Sequence, residues 1–268
     1  MKLSFHTCGL EWYSLEEAVA ELAEIGYDGV GPCTGPGTHL DPEAVSSSDK
    51  ERLAMLAADS GISFSILNPW KVGGFAAGIE SGETEAFYTR AIDLAAEIGA
   101  EGVKFLPGSF AGGEAAGWKG MIEVLRRLCR HAEKAGVDLL MHNHENHLID
   151  TANGFELLRR HVGSERLRIN IDCGNLAMLL DDPCRAIGDH AADIRHVRVK
   201  GIHGRYPFAQ QVPAGSPGDI VDWEGVFRTL AETGFAGFVE IVAYPWFPPD
   251  YHRTAYGWAR DLAARTGL

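Results

Sequence analysis

At 268 residues the chain is long for one small domain and short for two large ones, a length at which α/β barrels of about 250 residues form single domains. Hydrophobic residues make up 46% and charged residues 23%, enough for a sizeable core, so the chain reads as a globular, soluble protein. A formal net charge of −13 repels nucleic-acid phosphates and anionic membrane surfaces, which argues against nucleic acid and membrane as partners.

The predicted elements run in chain order as strand 2–6, helix 14–24, strand 27–31, helix 48–60, strand 63–67, helix 82–98, strand 102–106 and helix 117–135. They continue as strand 137–142, helix 154–162, strand 167–171, helix 183–190, strand 194–199, helix 222–232, strand 238–243 and helix 250–264. The boundaries rest on a repeated junction, Glu24-Ile-Gly-Tyr-Asp-Gly-Val30, Glu97-Ile-Gly-Ala-Glu-Gly-Val103 and Glu232-Thr-Gly-Phe-Ala-Gly-Phe238, in which a glycine ends a helix and a strand follows at once. Ser14-Leu-Glu-Glu17 and Ser48-Asp-Lys-Glu51 read as capping boxes, and Asn153-Gly-Phe-Glu156 resembles one. Eight strand-then-helix units without a linker predict an α/β fold, one (β/α)8 TIM barrel over residues 1–268. An open doubly wound sheet is the alternative, but the first strand is followed by His6-Thr-Cys-Gly-Leu-Glu-Trp12 rather than a G-x-G-x-x-G turn, so no nucleotide cofactor is indicated.

Cys8, Cys33, Cys129, Cys173 and Cys184 form an odd set without a C-x-x-C pair, which argues against a disulfide framework or structural zinc and for a reducing compartment. The opening MKLSFHTCGLEWYSLEE has no long apolar region, and no apolar run approaches the ~18 residues of a membrane span. The expectation is a cytoplasmic enzyme.

In a barrel, reactive groups sit at the C-terminal ends of strands. The fifth strand ends in His142-Asn-His-Glu-Asn-His147, and imidazole beside carboxylate is the material of metal binding or acid–base chemistry. Alternation along the strand keeps these side chains from sharing one ion, so the run is one wall of a composite site. Strand 6 ends at Asp172, either a site carboxylate or simply the N-cap of the next helix. Strand 7 places His196, Arg198 and Lys200 on one face, with His196 read as structural or outward-facing. Strand 8 buries Glu240, either a site acid or one neutralised structurally by Arg198 or Lys200. His6 ends strand 1 as a site or core imidazole, and Trp70 and Trp246 follow strand ends where an aromatic ring can stack on a sugar face. The segment from Gly201 to Asp219, with His203 and Arg205, is long enough to shape a substrate pocket.

These motifs together, including Gly26-Tyr-Asp-Gly-Val30, His142-Asn-His144, Asp172-Cys-Gly-Asn175, His196-Val-Arg-Val-Lys200 and Gly218-Asp-Ile-Val-Asp-Trp223, resemble the sugar phosphate isomerase/epimerase group of xylose-isomerase-like TIM barrels over nearly the whole chain. The resemblance implies one divalent ion (Mn, Mg, Co or Zn) held by Glu, Asp, His and Glu from strands 5 to 8. It implies a dimer or tetramer and a metal-assisted isomerase or epimerase acting on a sugar or polyol through an enediolate. Here the strand-5 Glu position carries His142, with Glu145 three residues on, and the second strand-7 histidine is Arg198, which cannot ligate a cation. The glutamate expected after strand 2 is missing, because Gly31-Pro32 follows Val30. The metal ligands expected are then Asp172 and Glu240, with His142 and Glu145 competing for the third place. Glu145 or His144 is expected as base, Lys200 as partner of an enolate oxygen or a phosphate, and Arg198, Trp70, Asn175, His203, Arg205, Trp246 and His6 as substrate contacts. A lyase or dehydratase acting on a keto-sugar, keto-glycoside or inosose is the alternative, and a metal-free or inactive sugar-binding member the third. With no glycine-rich phosphate cradle on strands 7 and 8, an unphosphorylated substrate is favoured.

Overall fold

The computed structural model describes residues 1–69, 81–108 and 114–268. Eight parallel strands form the barrel: β1 Lys2–His6, β2 Gly29–Gly31, β3 Ser63–Phe64, β4 Gly102–Phe105, β5 Asp138–His142, β6 Leu167–Asp172, β7 Ile194–Val199 and β8 Phe238–Val242. They pair in the order β3-β2-β1-β8-β7-β6-β5-β4. The ring closes just past β3, where the Leu67 N–H donates to Gly102 O at 2.9 Å and Leu67 O accepts from Lys104 N at 2.9 Å. The third strand, expected over 63–67, is thus interrupted, pairing first with β2 and then through Leu67 with β4. The helices are α1 Leu15–Ile25, α2 Ser47–Ser60, α3 Ser81–Ile98, α4 Glu114–Ala135, α5 Ala152–Val162, α6 Cys173–Met178, α7 Pro183–His190, α8 Trp223–Glu232 and α9 Tyr251–Thr266.

Local chemistry explains the boundaries. Ser14 and Glu17 exchange both bonds of a capping box at the start of α1, and Gly26, at φ 106°, ends that helix in a conformation that carries no penalty without a Cβ. Two expected caps are corrected. At α2 the box is Ser46 with Asp49 rather than Ser48 with Glu51, because three consecutive serines compete and the first is in the extended conformation an N-cap needs. At α5 Thr151, not Asn153, is the N-cap, and its side chain makes no cap bond; the Ala152 N–H is satisfied by the distant Asp181 carboxylate at 2.8 Å.

Alternation divides each strand. Leu3, Phe5, Val197, Val199, Val239 and Ile241 join the apolar core shared with the helices, each such buried side chain contributing about 1.5–3 kcal/mol. Their neighbours Ser4, Arg198 and Glu240 are also buried, but on the opposite face of the strands, inside the ring. Other elements were not expected: a 3-10 turn Thr7–Gly9, the short α6, a parallel pair Cys33–Thr34 with Asn68–Pro69, and an antiparallel pair Gly201–His203 with Gln210–Val212 in the segment after β7.

Candidate active site

The register of β1, β8, β7 and β6 aligns Ser4, Glu240, Arg198 and Asp172 on one rung, and register partners in a parallel sheet point the same way. A guanidinium therefore lies between two carboxylates. Arg198 Nη1 is 3.5 Å from Glu240 Oε2, and its Nε is 3.8 Å from Asp172 Oδ2. Asn68 clasps the pair from the β3 side, its Nδ2 donating to Glu240 Oε1 at 2.9 Å and its Oδ1 accepting from Arg198 Nη1 at 3.0 Å. Glu240 is fully buried, and burial pushes its carboxyl up against the pull of Arg198 and Lys104. Burial also opposes the charge on Arg198, but Glu240 and Asp172 outweigh it and hold the guanidinium up.

Asp172 works at both ends of its carboxylate. Oδ1 accepts from Asn175 N at 2.8 Å and caps α6, while Oδ2 is 3.4 Å from Lys200 Nζ, so the carboxylate that caps the helix also faces a buried ammonium. Asn143 ties β5 to β6, its Oδ1 accepting from Asp172 N at 2.8 Å and its Nδ2 donating to Asp172 O at 3.1 Å. Asn175 donates to Asn143 O at 2.9 Å and accepts from the Lys200 ammonium. Burial lowers the Lys200 pKa, yet Asp172, Tyr244 and Glu145 bring it above its ordinary value.

The run after β5 turns sharply, with Asn146 at φ 61° and His144 N donating to Ile149 O at 2.9 Å. The Glu145 carbonyl lies 3.1 Å from His144 Nδ1 and 3.0 Å from His147 Nδ1. A carbonyl only accepts, so both rings carry the proton on Nδ1 and leave Nε2 as the basic nitrogen. Glu145 Oε2 is 3.0 Å from His144 Nδ1 without a hydrogen bond to it, and this buried oxygen has no hydrogen-bond partner among the described residues. Burial raises the Glu145 carboxyl, with Lys200 pulling the other way. Burial, then Lys200, takes His144 down to about 3, so its ring is neutral at pH 7. His142 is driven well below its ordinary value by burial, Lys104 and Arg198.

His6 Nδ1 accepts from Cys8 N at 3.1 Å, which puts the ring proton on Nε2, a buried donor without a partner among the described residues. His196 is buried inside the ring rather than facing outward, 3.9 Å from Glu240 Oε1. Trp246 is exposed and stacks on Tyr244, ring centroids 4.7 Å apart. His203 and Arg205 are not brought to these groups: both are exposed, one meeting Gly218 O and the other donating to Ala177 O. Trp70 lies outside the described residues. Asn68 and Lys104 stand at the ends of the third and fourth strands, but their positions alone assign them no role. Lys104, a lone lysine in Val103-Lys-Phe105, is turned inward by β4, and burial, then Arg198, brings it down to about 7. Tyr244, just past β8, is of an ordinary residue type that gave no signal.

The donor set does not fit the divalent ion that the resemblance implies. Among the described residues no three His, Cys, Asp or Glu side chains come together as a ligand group. Glu240 Oε1 is taken by Asn68, Asp172 Oδ1 by Asn175, and a permanently charged guanidinium lies between the two acids. His142, Asp172 and Glu240 are buried in one barrel without forming a coordination shell.

A family profile described as a xylose isomerase-like TIM barrel matches residues 19–262. The chain is 27% identical over 139 residues to an inosose dehydratase of Geobacillus thermodenitrificans, a match covering 47% of this chain and 47% of that one, so the chain spans about half the length of the curated relatives it matches. Two solved structures superpose over nearly the whole chain. A D-tagatose 3-epimerase-like protein has a TM-score of 0.85 at 18% identity, covering 100% of this chain and 98% of its own. A zinc-bound IOLI protein has a TM-score of 0.84 at 18% identity, covering 99% of each chain. At such identities these two likenesses speak for the fold. Among the described residues, no helix is long and apolar enough to cross a membrane.

Proposed function

Because the chain belongs to the xylose isomerase-like TIM barrel family, we propose that it is an isomerase or epimerase of a small sugar or polyol that removes a proton beside a carbonyl and returns it to a different carbon or face. The observation that carries this reading is the Glu145 carboxylate, half-buried and raised toward neutrality, facing a site charged by Lys200. Glu145 takes the proton, the bonding pair moves onto the carbonyl oxygen, and the Lys200 ammonium stabilises the resulting enolate. A positioned base contributes about 10²–10⁴-fold and an oxyanion donor about 10²–10³-fold. The unpartnered His6 Nε2–H supplies a donor for a substrate hydroxyl, and the Tyr244–Trp246 stack offers a face for the ring carbons. No step is routed through a metal ion.

A second reading is supported by the match to inosose dehydratase: the same enolate expels a β-hydroxyl, and the product lacks one water. Incubation with keto-sugars and inososes in D2O, followed by NMR and mass spectrometry, tests both. Deuterium entering beside the carbonyl without loss of mass from the skeleton supports the isomerase, whereas loss of water supports the dehydratase. Absence of both across the panel favours a sugar-binding protein without catalysis.

A further inference from the structure

We propose that Arg198 occupies the place of a catalytic divalent ion in this barrel and grips two adjacent oxygens of the substrate directly, so that the protein works without a metal. Four observations carry this. The guanidinium lies on the rung between Asp172 and Glu240, the acids that would otherwise face an ion. Two further lysines are buried in the same interior, Lys200 held charged by Asp172 and Lys104 brought down to about 7, so an added divalent charge would meet the Arg198 and Lys200 cations rather than free carboxylates. Asn68 holds Glu240 Oε1 and Arg198 Nη1 together, which fixes the carboxylate toward the strand wall. Gly31 leaves room for that arrangement, since a Cβ there would come within 1.8 Å of Glu240 Oε1.

The guanidinium also has capacity left for a ligand. Among the described residues its Nε and Glu240 Oε2 are buried without a hydrogen bond, and within the fork only Nη1 donates, to Asn68 Oδ1, so the rung keeps donors for two oxygens and one acceptor. A planar fork of N–H groups matches two neighbouring oxygens of a hydroxyketone as it matches a carboxylate. A fixed charge that is never lost by deprotonation does for the developing oxyanion what a Lewis acid does, without needing coordination. The identity of the oxygens rests on the keto-polyol reading above; the absence of an ion requirement does not.

The test separates the two. Wild-type protein is treated with EDTA, dialysed, and titrated with Mn²⁺ and with Zn²⁺ by calorimetry and thermal melting. The expected result is no stoichiometric binding at micromolar concentration and an unchanged Tm. The Arg198→His variant, which removes the guanidinium and supplies an imidazole between the two acids, is expected to gain binding of one ion. At about 100-fold excess over Kd its melting point should then rise by roughly 5–10 °C and fall again with EDTA. One equivalent of either ion bound by the wild type with a matching rise in Tm overturns the proposal, and this arm stands even if Arg198→His fails to fold. A folded Arg198→His that binds neither ion overturns the role of the guanidinium as the obstacle. Where a substrate is in hand, Arg198→Lys should raise KM more than it lowers kcat, because a point charge cannot hold two oxygens.

Discussion

Replacing Gly31 by alanine adds one carbon at the tightest point of the site. Its Cβ would stand 1.8 Å from Glu240 Oε1 and 2.6 Å from Asn68 Nδ2, far inside contact distance, and neither group is free to swing because Asn68 hydrogen-bonds both Glu240 and Arg198, which form an ion pair at 3.5 Å. Overpacking a well-filled interior costs about 1–3 kcal/mol, and losing a hydrogen bond to a charged group about 1.5–3 kcal/mol. The two terms overlap, since displacing Glu240 is what breaks the bond, so we expect about 2–4 kcal/mol in all. In a chain of this size that is a fall in Tm of roughly 5–15 °C. Urea unfolding of wild type, Gly31→Ala, Glu240→Ala and the double variant forms a cycle. Glu240→Ala alone should be costly because it leaves a buried cation with one acid fewer, but it also removes the atom that Gly31→Ala strikes. The double variant should therefore be more stable than the sum of the singles by at least about 1 kcal/mol. A Gly31→Ala protein within about 0.5 kcal/mol of wild type, or strict additivity, would refute the packing argument.

Further outcomes follow from the charges. Glu145→Gln should lower kcat by about 10²–10⁴-fold with little change in KM, and the acid limb of the wild-type rate profile should lie above pH 4.5 because burial raises this carboxyl. His6, His142, His144 and His196 are all held below their ordinary value by burial, so the unfolded chain binds protons that the folded one refuses. Stability is therefore lost as pH falls below about 6.5 toward 3, and a urea midpoint that is flat between pH 7 and 5 contradicts this. Lys104, at about 7, has the same sign at higher pH: stability should rise between pH 7 and about 10.5, and Lys104→Met should abolish that rise. Tyr206→Phe deletes a 2.7 Å bond to Asn146 at the surface and should change stability by no more than about 0.5 kcal/mol, while hydrogen exchange quickens in residues 145–147.

The fold could be read closely because its signals are local. A helix-ending glycine followed by alternating apolar residues needs nothing from the rest of the chain, and β4 and β8 start at Gly102 and Phe238, where that pattern placed them, while β1, β7 and α7 match their expected bounds. Errors arose where a distant group decided the outcome: Asp181 satisfies the start of α5, and β4 claims Leu67 from the third strand. The site behaves likewise. Buried charge in an apolar strand announced Asp172, Arg198 and Glu240, but not that an asparagine from the opposite half of the chain would bind two of them into one circuit. Lys104 was visible as a lysine between Val103 and Phe105, yet its meaning depends on facing Arg198 across the barrel. Period-two reading puts a residue inside the ring, whereas only the closed ring says what it meets.

That ring is sealed by β8, which pairs with β1 on one side and β7 on the other. Without it the other seven strands would present two bare edges, at Lys2–His6 and Ile194–Val199, open to pairing with a neighbouring chain. The same strand brings Glu240 to Arg198. During synthesis the guanidinium and Asp172 leave the ribosome before the second acid does, so closing the sheet against aggregation and balancing its internal charge are one event, completed by the five-residue strand of the barrel that is made last.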